Sequence, residues 1–364
     1  MLGTERIHMS GKPLVSVTVV TYNSGRFIRR CLESALEQTH QPLEVIVIDN
    51  ASTDGTCDIL ERFEDSCVVV YNEENIGFAA AQNQAIALSR GDWVLTLNPD
   101  VLLLSDFVAS LMMTANRDPM VGTICGKLLL ADASFDIEGV QRLDSTGMFF
   151  TPMLRHKDRG CMETNNGHYR QYEYVFGATA AAACYRREMI ADISMDGEFF
   201  DAEFFTYRED ADVAWRAQLL GWKCIFDPRA AAYHVRSLRP GMRNQLPAEI
   251  NMHSVKNRFL MRIKNITPGL YARNFLPITF RDLGIVAYCM AIEHYSLRAF
   301  FYLARNLQST LRKRRWIQAR RRVDESYMAS WFRYRPVSVA LQPEVAEATR
   351  RAELAAEPVR HQTT

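Results

Sequence analysis

The chain has 364 residues, 48% of them hydrophobic and 23% charged, enough apolar material for a sizeable core and too much for a disordered protein. A formal net charge of +1 removes any overall electrostatic case for nucleic acid. No apolar run reaches the roughly 18 residues needed to span a bilayer, and the opening MLGTERIHMSGKP lacks a signal-peptide core, so a soluble or surface-bound cytoplasmic protein is expected.

In chain order, LVSVTVV at 14–20 reads as a buried strand, bounded by a proline and by TYNSG. Arg26 to Gln38 repeats Ile28, Leu32 and Ala35 at helical spacing, and LEVIVID follows. Strand, helix and strand make a right-handed βαβ unit with parallel strands. The alternation continues with a helix after Asp54, a strand at CVVVY, a helix from Gly77 to about Leu88 and a strand at DWVLTLN. Residues 1 to about 120 are thus an open α/β layer, in which ligands sit outside the carboxyl ends of the strands. The pattern from about 121 to 235 is mixed, and its strand order is not readable. Long helical patterns follow through HSVKNRFLMRIKN and HYSLRAFFYLARNLQSTLRKRR, and residues from about 337 onward read as a frayed tail. The eight cysteines are scattered without a Cys-x-x-Cys pair and read as reduced core residues.

Polar residues interrupt the apolar strands at their ends. Thr21, Tyr22 and Asn23 follow the first strand, and Asp49, Asn50 and Asp54 follow the second. A carboxylate at Asp49 could accept hydrogen bonds from a nucleobase or ribose, or could close an Asx turn ahead of a helix cap. In ENIGFAAAQNQAI, Gly77 and the alanines allow close approach, and Asn75 and Asn83 offer amides toward the same cleft. Asn98 and Asp100 end the next strand, where hard oxygen ligands suit magnesium or manganese. The Gly-x-Gly-x-x-Gly dinucleotide fingerprint is absent.

The segments VSVTVVTYNS, VIVIDNASTDGT, NIGFAAAQNQAI and LTLNPDV, in this order and spacing, resemble the nucleotide-sugar-binding half of family 2 inverting glycosyltransferases. The resemblance covers roughly residues 13–265. The later FFTYREDADVAWRAQLLGWK and KNRFLMRIKN are most similar to the bacterial rhamnosyltransferase-like branch. It implies an α/β GT-A fold with a mostly parallel central sheet and a C-terminal helical extension. The expected domains are a catalytic unit over 13–240, divided near 120 into nucleotide-binding and acceptor-facing halves, a helical region over 241–336, and the tail.

The resemblance also implies roles. Asp49 would contact the nucleobase with Asp54 beside it, and Asp100 would hold the last position of the Asp-x-Asp metal motif, whose first position is Asn98 here. A divalent cation, Mg2+ or Mn2+, would therefore be weakly held and arrive with the diphosphate. Asp210, beside Glu209, would be the general base, His234 would approach the metal or diphosphate, and Arg236 and Arg239 would neutralise charge there. Gly177, Ala178 and Asp212 would lie on the acceptor side. The implied reaction moves a sugar, L-rhamnose from dTDP-L-rhamnose, to a glycan or polyprenyl-linked acceptor, with a UDP or GDP sugar as the alternative donor.

The segment RNLQSTLRKRRWIQARRR at 305–322 carries eight basic residues and no acid. Its function reading is attachment to an anionic membrane surface through Arg312, Lys313, Arg314 and Arg315, next to an apolar stripe that includes Leu283, Phe300 and Phe301. Its bland reading is a packed stripe with solvated arginines. A nucleic-acid-binding module is the non-enzyme alternative, without zinc spacing or an aromatic platform to specify a reader. No heptad is sustained enough to argue for a homodimer. His156 and His168 lie in polar flanks without ligand-like company.

Overall fold

The structure is a computed structural model and describes residues 11–136, 139–236, 246–333 and 339–340. Arg239, His8 and His361 lie outside the described residues, as does the tail apart from Val339–Ala340.

The first half follows the alternation of the sequence: β1 (Val15–Thr21), α1 (Ile28–Leu36), β2 (Leu43–Asp49), α2 (Thr56–Leu60), β3 (Val68–Tyr71), α3 (Phe78–Leu88) and β4 (Trp93–Leu97). Every residue of β1 and of β4 is buried. That is the requirement on strands covered on both faces, and even Ser16, Thr18 and Thr96 within them are fully buried. β1 pairs in parallel with β2 on one side and β4 on the other, and β3 adds in parallel to β2.

The second half contributes β5 (Val101–Leu103), α4 (Phe107–Thr114), β6 (Val121–Leu130), β7 (Leu143–Ser145), β8 (Met148–Phe150), β9 (His156–Asp158), β10 (Glu173–Val175), β11 (Ala182–Arg186), α5 (Arg187–Ile193), α6 (Glu209–Leu219) and β12 (Lys223–His234). β11 enters antiparallel between β4 and β6, and β12 lies parallel to β6. The sheet runs β13-β10-β12-β6-β11-β4-β1-β2-β3, where β13 is Val339–Ala340. Its order across the second half depends on side-by-side pairing of segments far apart in the chain, which composition does not encode.

Among the described residues six α-helices follow: α7 (Ala248–Asn265), α8 (Pro268–Arg273), α9 (Phe275–Ala291), α10 (Arg298–Arg305), α11 (Leu307–Ala319) and α12 (Glu325–Trp331). The molecule is an α/β GT-A-like fold with a C-terminal helical extension. All eight cysteines are free, six of them buried. Among the described residues no helix is long and apolar enough to cross a membrane.

Buried ion pairs lock the extension to the sheet. Lys264 of α7, fully buried, places its Nζ 2.5 Å from Asp201 and 3.0 Å from Asp212. Asp212 also accepts from Arg216 Nε at 2.8 Å and from Asn265 Nδ2 at 2.7 Å. Lys313 of α11 reaches Asp201 at 2.7 Å and Glu203 at 2.8 Å. Burial alone would push the Asp201 carboxyl up, but the two lysines outweigh it and hold the group well below the usual carboxylate range. Asp212 is thus consumed by the network and offers nothing to an acceptor.

The same contacts correct the reading of the basic run. Lys313 is spent on acids of the sheet domain, Arg314 donates to the Ile263 carbonyl at 2.8 Å, and Arg315 to the Leu311 carbonyl at 3.4 Å. Arg312 meets Asp196 at 3.3 Å, and Arg320 and Arg322 converge on Asp192. Leu297 and Phe300 pack against the core, whereas Phe301 stays 76% exposed. Lys313, Arg320 and Arg322 therefore tie the extension to the domain, whereas Arg314, Arg315 and Arg321 bond within the extension and Arg312 stays exposed.

Removing one partner of a buried pair strands the others, which costs about 3–5 kcal/mol. Lys264→Met is expected to lower unfolding free energy by that amount in urea denaturation. A midpoint unchanged from the unmodified chain would remove the network from this role.

Candidate active site

The site lies where β1, β2 and β4 end. Asp49, almost fully buried, accepts from the Ser52 amide at 2.9 Å and the Ser52 hydroxyl at 2.5 Å, an Asx turn in which both carboxylate oxygens are engaged. Asn23, held at a φ of 50°, accepts from the Thr53 amide at 2.8 Å. Asp54 accepts from the Gly25 amide at 3.0 Å and the Thr56 hydroxyl at 2.5 Å. These residues splice the loop after β1 to the loop after β2, so that the rim is built before any ligand arrives. The Thr21 hydroxyl is buried without a hydrogen-bond partner among the described residues, and Tyr22 beside it is exposed.

Asn50 donates to the Gly77 carbonyl at 3.2 Å and accepts from Asn72 at 2.9 Å, and Asn75 accepts from the Gly77 amide at 2.9 Å. Gly77 has a φ of 86°, and a Cβ there would lie 2.5 Å from the Phe205 ring and 2.8 Å from its carbonyl oxygen. Only glycine meets both demands. Asn83 does not offer its amide to the cleft: Nδ2 donates to the Phe200 carbonyl at 2.6 Å and Oδ1 accepts from the Phe200 amide at 3.0 Å. α3 is thus a platform for the segment over 200–208.

That segment delivers the acidic pair, and it is strained. Phe205, Tyr207 and Arg208 have φ values of 63°, 67° and 74°, a region costly for side chains with a Cβ. The Thr206 amide donates to the Phe204 carbonyl at 2.7 Å, closing a tight turn around Phe205. Asn257 of α7 opposes the strain. Its Nδ2 lies 2.8 Å from each of the carbonyl oxygens of Phe204, Thr206 and Tyr207.

Asp210 then stands in the first turn of α6, accepting from the amides of Ala211 at 2.7 Å and Ala180 at 3.3 Å. Burial, reinforced by the negative charge of Asp158, lifts its carboxyl to about 6. Glu209 is buried, with Oε2 lacking a hydrogen-bond partner among the described residues. Burial and the neighbouring charge of Asp210 push it well above the usual carboxylate range. Both carboxyls of this adjacent pair are therefore lifted by their surroundings.

Across the mouth, β5 pairs antiparallel with β12 so that Val101 faces His234. This places His234 Nε2 3.4 Å from Asp100 and Nδ1 2.7 Å from Asp144, a residue of β7. Arg236 joins the group through Asp144 and, at 2.8 Å, Asp158. Burial opposes charge on His234, but the hydrogen bonds and charges of Asp100 and Asp144 outweigh it and lift the imidazole to about 10. Among the described residues no three such side chains cluster as a metal site. Asp100 and His234 converge, and a buried carboxylate holds the far nitrogen of the imidazole; raised as it is, the ring carries a proton on Nε2 toward Asp100 and would have to release it to ligate an ion.

Gly177 and Ala178 do not face an open acceptor groove. Ala178 is buried, and a Cβ on Gly177 would lie 2.2 Å from that of Ala214, so this strand edge packs directly beneath α6. Sequence reasoning missed Asp144, Asp158 and Asn257. Asp144 carried a usable signal, an acid set between apolar flanks in RLDSTG. His156 also proves to have company, with its Nδ1 3.0 Å from Arg208.

Residues 16–191 match the profile of glycosyl transferase family 2. TuaG of Bacillus subtilis (strain 168), named for teichuronic acid biosynthesis, is 44% identical over 92 residues, covering 24% of this chain and 36% of its own. The glycosyltransferase GlyG of Streptococcus pneumoniae serotype 4 is 35% identical over 101 residues, covering 27% of this chain and 34% of its own. The chain thus spans about a third of the length of these curated relatives. Among solved structures, the mannosyltransferase PcManGT from Pyrobaculum calidifontis, in complex with GDP-Man and Mn2+, aligns at a TM-score of 0.49 and 21% identity, covering 88% of this chain and 86% of that one. The first-half strands of this chain, its acidic strand ends at Asp49 and Asp100 and the β11 insertion all fall within the segment, residues 16–191, that matches the glycosyl transferase family 2 profile.

Proposed function

We propose that the protein is an inverting glycosyltransferase that moves a sugar from a nucleoside diphosphate donor to an acceptor hydroxyl by single displacement. The observation that carries this reading is Asp210, a carboxylate lifted to about 6 at the end of a strained segment that faces the strand-end rim. Such a group is ionised near neutral pH yet basic enough to take a hydroxyl proton as the hydroxyl attacks. The diphosphate leaves without being protonated, so no second acid is required. This separates the site from a hydrolase, which pairs two carboxyl groups across a glycosidic bond.

Asp100 would hold a divalent cation, Mg2+ or Mn2+, joined by His234 once its Nε2 proton is released, with Asp144 fixing the imidazole. When bound, the ion supplies positive charge to the leaving phosphates. Two protein donors make a loosely held ion that shares the diphosphate as ligand, in keeping with Asn98 at the first motif position. Thr21, Tyr22, Asn50 and Asn75 are the proposed donor-side residues, and Asp49 and Asp54 shape the loops that carry them.

Nothing in the comparisons singles out a rhamnosyltransferase branch, and TuaG is named for teichuronic acid. The donor is therefore proposed as a nucleoside diphosphate sugar, with UDP and GDP sugars standing ahead of dTDP-L-rhamnose. The acceptor is proposed as a cell-surface glycan or its polyprenyl-linked precursor, used at the inner face of the cell membrane. Support for the membrane comes from α9, whose Leu276, Phe280 and Leu283 are exposed at successive turns, rather than from the 312–315 run.

Asp210→Asn is expected to lower turnover by about 10²- to 10⁴-fold with donor affinity unchanged, read by product formation and nucleotide titration. Comparable turnover in the variant would sink the assignment. In the unmodified enzyme kcat/KM should fall about tenfold per pH unit below about 6 and level off above it, because the base works only when ionised. A limb near 4, where an ordinary aspartate titrates, would remove Asp210 from the role. Asn257→Leu should cost kcat about 10²-fold through misplacement of the base while donor KM stays near normal. Equal loss in both would show that Asn257 serves general folding instead.

A further inference from the structure

Between α7 and α9 lies a cavity of about 360 Å³ whose walls include Ser254, Arg258, Arg281, Gly284, Ile285 and Tyr288. The Arg281 Nε is buried and has no hydrogen-bond partner among the described residues. Burial disfavours the charge of Arg258, and the positive charges of Arg208, Arg281 and Arg155 add to that penalty. Asp282, the acid beside them, is already engaged by Arg262 at 2.5 Å. Arg258 and Arg281 thus stand half-buried side by side, with Asp282 the acid that acts on both while it also pairs with Arg262, and such crowding of like charge is unfavourable in the free protein. A multivalent anion would repay it, since the planar guanidinium donates two parallel hydrogen bonds to phosphate oxygens.

The cavity's position narrows the kind of anion. On one side, Arg208 donates from Nε to the Ser254 carbonyl at 3.3 Å, and Arg208 immediately precedes Glu209 and Asp210. On the other, α9 presents an apolar stripe to solvent, with Phe280 72% exposed between Leu276 and Leu283. Gly284 sits at the boundary. A Cβ built on it meets nothing within 4 Å, so neither packing nor backbone geometry accounts for a glycine that costs a helix interior about 1 kcal/mol. Its bareness leaves the rim between cavity and stripe open.

We infer that this cavity holds the phosphate or diphosphate of an amphiphilic acceptor, with the apolar tail lying along α9 and the sugar end directed toward Asp210. The inference rests on the glycosyltransferase reading and adds to it a binding site for the acceptor's phosphate. Arg258 and Arg281 bind the phosphate oxygens, Leu276, Phe280 and Leu283 receive the tail, and Arg208 separates this anion from the acidic pair.

The probe is farnesyl diphosphate, titrated calorimetrically into the full chain at low salt, with inorganic diphosphate and farnesol as the two halves of its chemistry. Farnesyl diphosphate is expected to bind at least tenfold more tightly than either half. Arg258→Gln and Arg281→Gln should each weaken it about tenfold, the loss of one charge-assisted interaction. Gly284→Leu enters open space, so it should fold, and it should weaken farnesyl diphosphate by obstructing the rim. Thermal unfolding of the unliganded glutamine variants should show no loss of stability, since removing one of several like charges relieves repulsion. Inorganic diphosphate binding as tightly as the farnesyl compound would overturn the lipid assignment, and unchanged affinity in both arginine variants would overturn the site. UDP titrated with Mn2+ into the unmodified chain separates the two levels of failure. Nucleotide binding without farnesyl diphosphate binding overturns this inference alone, whereas loss of both overturns the donor reading beneath it.

Discussion

Burying a carboxylate costs several kcal/mol unless cations and donors meet it, and this fold packs its acids tightly around one helix. Asp201 and Asp212 are met by Lys264, Lys313 and Arg216, and Asp144 is met by His234 and Arg236. Glu209 and Asp210, between those two groups, have no cation within salt-bridge distance among the described residues, and their remaining option is a higher pKa. Neutralising the surrounding acids is thus what allows one unneutralised pair to remain in the fold. The reactive group is defined by the pairing its neighbours receive and it does not.

Pairing also explains why the helical extension is more than an appendage. α7 supplies Lys264 to the acids beneath α6 and, two turns earlier, Asn257 to the carbonyls of the strained segment before it. α11 supplies Lys313 to the opposite face of Asp201. Left-handed φ at Phe205, Tyr207 and Arg208 persists only where surrounding contacts over-determine it. Those contacts come from Gly77 and Asn83 on the nucleotide side and from Asn257 on the extension side. The base is therefore suspended between two halves of the chain, and the position of Asp210 reports on both.

The parallel half was legible because its information is local. Valine-rich runs, Gly77 at a helix start and acids at strand ends each announce their element within about ten residues, as alternation predicts. Asp100 and His234 do meet, as β5 pairs with β12. What escaped was information held in pairing. Asp144 reaches His234 only because β7 lies on β6 and β6 on β12. Asp212 and Lys313 looked available because nothing in sequence shows that Lys264, some fifty residues from each, stands between their partners. Asn83 was misread for the same reason, since its partner Phe200 is 117 residues away.

Among the described residues the acidic pair at the start of α6 and the arginines between α7 and α9 share a boundary. Acid lies unneutralised at the start of α6, and base lies crowded between α7 and α9, with Arg208 influencing both sets. His156 accepts from Arg208 and is held neutral by burial and by the surrounding arginines. It therefore adds no further positive charge, and it anchors the guanidinium by a nitrogen lone pair. Had Arg208 instead closed directly on Asp210 as an ion pair, the carboxyl would have been driven below its ordinary value and lost its basicity. Holding Arg208 by His156 and the Ser254 carbonyl keeps it near enough to limit repulsion within the acidic pair and far enough to leave the base unquenched. The left-handed turn at Arg208 is the backbone geometry that permits this, which gives the local strain a chemical reason.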